Sequence, residues 1–345
     1  MNLLLGRKDM SWKLRLLMNM PKAYKRFLVK KPKVCDGRTM DSGMQILLYL
    51  IEQRRKDIDY TTVEPETMRN YYNELAGTLE KKPPSIEHKD HSLKVSDQQI
   101  TIREYIPSDS DNDGRSLLYF HGGGFCIGSI KTHDIVCKFL AKLLNWKVFS
   151  VEYRLAPEYP FPIPLEDCDK AMDWLIDNAD KLKIDPNRIS VGGDSAGGNL
   201  SACLCIKRQE EGKSMPERQL LLYPGIDSKG DHLSLKTLNE GYFLTQAIMD
   251  WFGDNYLTEE DHDNIYVAPL KYETPEKLPP AVIITAGFDP LRDEGQAYAL
   301  FLKNAGVKVF EKEYEGMIHG FMNFTIEPTN YKAFIEIAEE FKNIA

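Results

Sequence analysis

The chain has 345 residues, 42% hydrophobic and 28% charged, with 19 prolines and 23 glycines, a packed globular composition that allows two ordinary domains or one large α/β domain. The longest run free of Asp, Glu, Lys and Arg lies between Arg115 and Lys131 and contains His121 and four glycines; a spanning helix needs about 20 mostly apolar residues, so an integral membrane protein is not expected. Net charge is −8, but residues 1–33 hold ten Lys/Arg against one acid, leaving +9 there and −17 on the rest, and an acidic body argues against nucleic acid as a partner.

The basic segment also carries Leu3, Leu4, Leu5, Trp12, Leu14, Leu16, Leu17 and Phe27. An amphipathic helix at a membrane surface is one reading of residues 1–33. A helical arm packed on the protein's own acidic body is the favoured one, because the membrane signal is only compositional. Met1 to Gly6 is too short to be the apolar core of a secretory signal, and Arg7, Lys8 and Asp9 cut it off. The six cysteines (Cys35, Cys126, Cys137, Cys168, Cys203, Cys205) have no framework spacing, so reduced thiols in the cytoplasm are expected.

Two helices follow. Ile46, Leu47, Leu50 and Ile51 give Met44 to Arg55 an amphipathic period. Met68, Tyr71, Tyr72, Leu75 and Leu79 do the same for Glu66 to Leu79, behind Pro65. Lys81 to Ser85 reads as a linker, which puts a boundary near residue 85 between a helical N-terminal region and the remainder. Beyond it, Val95 and the alternation Ile100–Ile106 suggest a hairpin, broken by Pro107 and the polar loop 108–114. Apolar runs then alternate with helical patterns: strands at 116–120, 148–151, 188–191, 220–223, 281–285 and 307–310, and helices at 134–144, 165–176, 196–208, 295–302 and 331–342. That alternation predicts an α/β fold with a mostly parallel sheet covered on both faces. Residues 227–278 interrupt it as an insertion, helical near 246–256, at a strand end where lids and specificity elements sit.

The chemistry concentrates in four motifs. Gly193-Asp194-Ser195-Ala196-Gly197 stands between a strand and a helix pattern, the setting in which a sharp turn lifts a serine hydroxyl clear of the backbone at a helix N-terminus. His121-Gly122-Gly123-Gly124 ends another strand. Its bare backbone N–H groups, with that of Ala196, would form an oxyanion hole. A phosphate cradle is disfavoured there, since neither Gly-x-Gly-x-x-Gly nor a following Lys-Ser/Thr pair is present. After Ser195 come only His232, His262 and His319. The first two lie in the polar insertion, and His319 lies in a glycine-flanked loop after the last strand. Among the acids of Asp289-Pro-Leu-Arg-Asp293-Glu294, Asp289 lies just past a strand end, whereas Asp293 and Glu294 would fall in the first helical turn as caps. Asp194 reads as structural, as do Tyr153-Arg154 and 156–164, and Tyr242, Phe243, Leu244 and Trp251 are divided between core and an acyl pocket.

In this order, with Tyr153-Arg-Leu-Ala-Pro-Glu158 between them, the motifs resemble the hormone-sensitive lipase family of α/β-hydrolases, and within it the bacterial esterases with Gly-Asp-Ser-Ala-Gly, over roughly residues 90–345. The resemblance implies an eight-stranded α/β-hydrolase fold (residues 86–345) under a helical cap built from residues 1–85 and 227–278. It implies Ser195 as nucleophile, His319 as base, Asp289 as acid and the N–H groups of Gly123, Gly124 and Ala196 as the oxyanion hole, with no metal and no cofactor. The expected activity is hydrolysis of short to medium acyl esters through an acyl-enzyme; a long-chain lipase, an amidase or deacetylase, and a non-catalytic ligand receptor are the alternatives. A small-molecule ester is the expected partner, and a homodimer is implied by the resemblance alone. Phe125 departs from the Trp of many relatives, and the basic arm is longer than the family's usual start.

Overall fold

The computed structural model describes residues 10–108 and 113–344. Leu3–Leu5, Arg7 and Lys8 of the basic arm, and residues 109–112 of the loop after Pro107, lie outside the described residues. The eight strands of the main sheet are β1 (Glu87–Val95), β2 (Gln98–Ile106), β3 (Ser116–Phe120), β4 (Lys147–Val151), β5 (Ile189–Asp194), β6 (Gln219–Leu222), β7 (Ala281–Phe288) and β8 (Val309–Ile318). Their order across the sheet is β1-β2-β4-β3-β5-β6-β7-β8. β2 runs antiparallel to both neighbours, and every other pair is parallel.

Strands β3 to β7 are buried along their whole length, which is why they read as continuous apolar runs without alternation. The pleat divides each between two cores. Leu117 and Tyr119 of β3 face a cluster with Ile135, Phe139, Phe334 and Phe341 of the helices Asp134–Leu144 and Pro328–Asn343. Leu118 and Phe120 face the other, with Leu165, Leu200 and Tyr298 of the helices Ile163–Asp177, Ala196–Glu210 and Arg292–Asn304. Among the described residues no helix is long and apolar enough to cross a membrane.

The N-terminal residues join the first of these cores. Leu14 and Met18 of helix Met10–Met18 are buried in it, together with Met44, Leu47 and Ile51 of helix Ser42–Arg55 and Leu75 and Leu79 of helix Pro65–Leu79. Lys25 of helix Lys22–Val29 is buried too, its ammonium 2.8 and 2.7 Å from the two carboxylate oxygens of Glu327 and 3.1 Å from the Met18 carbonyl. Leu14, Met18 and Lys25 of the basic segment are therefore packed on the body, while Leu16 and Phe27 stay exposed.

Two strands, at the two edges of the sheet, depart most from their sequence pattern. β1 begins at Glu87, and its first residues are mostly solvent-facing on the sheet edge, so Glu87 to His91 show no apolar period. β8 runs ten residues, not four, because its edge position leaves Glu311, Lys312 and Glu313 half-buried and ion-paired, hiding the strand behind charges.

Candidate active site

Three functional side chains stand at the same ends of three parallel strands. Ser195 follows β5 directly and holds φ 55° and ψ −117°, a conformation that L-residues rarely adopt. Its N–H donates to the Leu222 carbonyl at 2.9 Å, and its own carbonyl accepts from Asn199 N–H at 3.0 Å, starting the helix. Gly197 makes that turn fit: a Cβ there would collide with the Phe120 carbonyl at the end of β3. Asp289 follows β7, and His319 follows β8 ahead of Gly320 at φ 72°.

These three form one hydrogen-bonded chain. Ser195 Oγ lies 2.9 Å from His319 Nε2, and His319 Nδ1 lies 2.7 Å from Asp289 Oδ2. The other Asp289 oxygen accepts from Leu291 N–H at 2.9 Å, which fixes the carboxylate. Asp289 is fully buried and His319 is 6% exposed. With Nδ1–H donated to Asp289, Nε2 presents its lone pair to the serine hydroxyl, the tautomer needed to accept its proton.

The glycine loop runs beside Ser195. Gly123 and Gly124 have φ 126° and 56°. Among the described residues their N–H groups, and that of Ala196, have no acceptor. Gly122 N–H instead donates to Asp194 Oδ1 at 3.0 Å.

Asp194 is a buried hub. Oδ1 also accepts from Tyr119 Oη at 2.7 Å, and Oδ2 lies 3.0 Å from Asn323 Nδ2 and 3.3 Å from His133 Nε2. Burial works to raise its pKa, but His133, Tyr119 and Asn323 outweigh that and hold it well below the ordinary carboxylate range. One carboxylate thus ties the glycine loop to the segment after His319. His121 packs above it, stacked on Tyr153 at 4.2 Å, and burial followed by the neighbouring His133 pushes its pKa down to about 3.

Two cavities open on Ser195. The larger, about 670 Å³, reaches Ala196 and Asn199 and is rimmed by Asp227, Asp250, Asp254 and His262. The smaller, about 80 Å³, is walled by Met68, Tyr72, Ile127, Phe243 and Ile248 and reaches His319. Phe252 borders both and lies directly on Gly124, where a Cβ would collide with its ring. Among the described residues no group of three or more His, Cys, Asp or Glu is placed to hold a metal ion.

Several sequence candidates fall elsewhere. Phe243 and Leu244 line the small cavity, but Tyr242 packs on Phe288, and Trp251 is buried against the N-terminal helices, its Nε1–H donating to Val63. Asp293 and Glu294 do lie in the first turn of their helix, yet they bond outward: Asp293 accepts from Ser234 N–H at 2.8 Å and Glu294 from Ile226 N–H, linking helix and insertion. His232 pairs with Asp227 at 3.1 Å and His262 with Ser228; both line the large cavity, and neither is hydrogen-bonded to Ser195. Arg154 forms a two-pronged pair with buried Asp167 at 2.8 and 2.7 Å. Nothing in the residue pattern marked Phe252, which sits in an ordinary helical apolar stretch.

A model of the alpha/beta hydrolase fold matches residues 117–323. A carboxylic ester hydrolase of Mycobacterium tuberculosis is 35% identical over 319 residues, covering 90% of this chain and 84% of the relative. An arylesterase of Saccharolobus solfataricus is 36% identical over 267 residues, 77% of this chain and 87% of its own. Among solved structures, a hyperthermophilic esterase of the archaeon Pyrobaculum calidifontis superposes with a TM-score of 0.81 at 38% identity, covering 87% of this chain and 96% of that one.

Proposed function

The chain belongs to the hormone-sensitive-lipase-like esterases of the α/β-hydrolase fold, and from that premise we propose how its carboxylic ester hydrolysis is divided among its residues. Ser195 is the nucleophile, His319 the general base and Asp289 the residue that orients it. The N–H groups of Gly123, Gly124 and Ala196 receive the oxyanion. The observation that carries this reading is the unbroken Ser195–His319–Asp289 chain at 2.9 and 2.7 Å.

His319 takes the hydroxyl proton as Ser195 Oγ bonds to the ester carbon, then gives it to the departing alcohol as the carbon–oxygen bond breaks. Water repeats the cycle on the acyl-enzyme. Each oxyanion donor lowers the barrier by roughly 3 kcal/mol.

Residues 1–85 and 227–278 act together as a cap over a catalytic domain of residues 86–345. In support, Tyr71 and Tyr72 from the first and Phe243 and Phe252 from the second meet around Ser195. That enclosure favours short to medium acyl esters over long-chain lipids. Six unpaired cysteines, five of them buried, support work in the cytoplasm.

The test is Ser195→Ala on p-nitrophenyl esters from acetate to palmitate. Activity is expected to be highest on short esters and to fall by roughly 10⁴-fold or more in the variant, with an unchanged circular dichroism spectrum. Retained turnover in the folded variant would remove Ser195 from the mechanism.

A further inference from the structure

We infer that the helices Met10–Met18 and Lys22–Val29 dock the protein on an anionic lipid surface through the sides they turn away from the body. The inference goes beyond the hydrolysis proposed above and does not depend on it.

Each helix uses one side to hold the body. Leu14 and Met18 of the first are buried in the core, and Lys25 of the second is buried on Glu327. Leu16 and Phe27 each follow a buried residue, Leu14 and Lys25, by two positions, about 160° round the helix, and Phe27 is 77% exposed. Tyr24 and Val34 are exposed as well. Of the six large hydrophobic side chains exposed among the described residues, these are four; the other two, Leu233 and Leu300, stand far off in sequence. Exposed apolar residues scattered singly need no explanation, whereas this concentration marks an interaction surface.

The charge around them has one sign. From Met10 to Cys35 the sequence contains no Asp or Glu. Lys22 and Lys25 meet the carboxylates of Asp41 and Glu327, while Arg15, Arg26, Lys30 and Lys31 are exposed and meet none among the described residues. With +9 on residues 1–33 and −17 on the rest, a negatively charged surface attracts this segment and repels the remainder, which fixes the orientation of approach.

The residue types select lipid as the partner. Lys is depleted from the desolvated core of protein interfaces, yet here Lys and Arg alternate with the exposed apolar side chains. At a bilayer surface the two kinds separate: Leu, Tyr and Phe enter the boundary between headgroups and acyl chains, while the long basic side chains reach the phosphates. Helices of nine and eight residues are too short to span a bilayer and lie in its surface instead. Just beyond them, Lys33 Nζ donates to the Gly241 carbonyl at 2.6 Å and lies 4.7 Å over the Tyr242 ring. Phe243, the next residue, lines the small cavity, so the docked segment is joined to the wall of the active site.

Sedimentation of the full chain with sucrose-loaded vesicles tests this, using phosphatidylcholine alone and with 30% phosphatidylserine, at 0.1 and 0.5 M NaCl. The wild type is expected to bind the anionic vesicles at least about 100-fold more tightly than the neutral ones at 0.1 M, and to lose most of that binding at 0.5 M. Arg26→Gln, Lys30→Gln and Lys31→Gln together should weaken it roughly 100-fold, at about fivefold per basic residue. Leu16→Ser with Phe27→Ser keeps the charge and should weaken it about tenfold. Both variants are expected to keep the wild-type circular dichroism spectrum and turnover of p-nitrophenyl acetate. Equal affinity for neutral and anionic vesicles, no binding to either, or wild-type binding by either folded variant overturns the inference. A dimer in sedimentation velocity that the serine variant dissolves would assign the face to a second copy of the chain instead.

Discussion

Replacing Asp194 tests whether the buried hub or the triad alone holds the site in shape. Its carboxylate takes four donors: Tyr119 Oη and Gly122 N–H on one oxygen, Asn323 Nδ2 and His133 on the other. Asp194→Ala orphans all of them. Hydrogen bonds to a charged group contribute about 1.5–3 kcal/mol each, part of which is offset by no longer burying a carboxylate. A net loss of about 4 kcal/mol follows, or a melting temperature lower by about 8–12 °C at the roughly 2–3 °C per kcal/mol of a large domain. Asp194→Asn differs in a definite way. Its carbonyl keeps the Tyr119 and Gly122 bonds, and Asn323, whose Oδ1 is buried without a partner, can turn its amide to accept from the new NH₂. About half the loss should return. Because the folded carboxylate has a depressed pKa, its stabilisation is present above the unfolded value of about 3.9 and is lost as pH falls below it toward the folded one. The gap between wild type and Asp194→Asn should therefore be full at pH 7 and shrink below pH about 4. Thermal melts by circular dichroism, with kcat on p-nitrophenyl acetate alongside, measure both effects. An alanine variant melting within about 2 °C of wild type, or an asparagine variant as damaged as the alanine one, refutes this accounting.

Lys25→Ala leaves Glu327 buried and unpaired (its side chain is 1% exposed), so the variant should lose about 3–5 kcal/mol; Lys25→Met combined with Glu327→Gln should recover most of it in urea titrations, and a single variant as stable as wild type would count against the pair. Glu294 titrates in the opposite sense to Asp194. Burial raises its pKa to about 8, against partial compensation from the Ile226 and Asp227 N–H groups, so the stability tied to its proton is complete below the unfolded value of about 4.3 and is lost as pH rises through about 8. Wild type should lose melting temperature between pH 6 and pH 9 more steeply than Glu294→Gln, and parallel curves would exclude this carboxyl as the source.

The three residues that the fold brings into one hydrogen-bonded chain, Ser195, His319 and Asp289, were legible because each sits where an apolar run stops against glycine or proline, and a buried parallel sheet makes its strand ends conspicuous in sequence. Ser195, Asp289 and His319 are brought together without any of their neighbours in sequence being unusual for such ends. The features that escaped depend on contacts between distant segments. Phe252 and Trp251 are adjacent and look alike on a helix, yet one covers Gly124 and the other is packed against Met68 and Val63. Glu294 reads as a helix-favouring acid in a first turn, and only the fold shows that its oxygen reaches the N–H of Ile226, just ahead of the insertion. β8 extends beyond its apolar run at 307–310 because Glu313 meets Arg38 and Lys312 meets Glu336, charges neutralised by partners that no local pattern reveals.

The basic arm gains a role from the same long-range contacts. The segment carrying His319 continues through Phe321 and Phe324 to Glu327, where Asn330 Nδ2 donates to the Phe321 and Phe324 carbonyls at 2.6 and 2.8 Å. Ile326 N–H donates to the Leu79 carbonyl at 3.0 Å, and Lys81 N–H donates to Thr325 Oγ1 at 2.9 Å. Lys25 closes the far end on Glu327, and Gly43 leaves the space that Glu327 occupies, since a Cβ there would overlap its carboxylate. Asn323 joins the near end to Asp194. The loop that presents the catalytic imidazole is thus clamped on one side by the residue preceding the nucleophile and on the other by the N-terminal helices. A charge imbalance that suggested a membrane surface from composition alone serves, at Lys25, to neutralise a buried carboxylate next to the active-site loop.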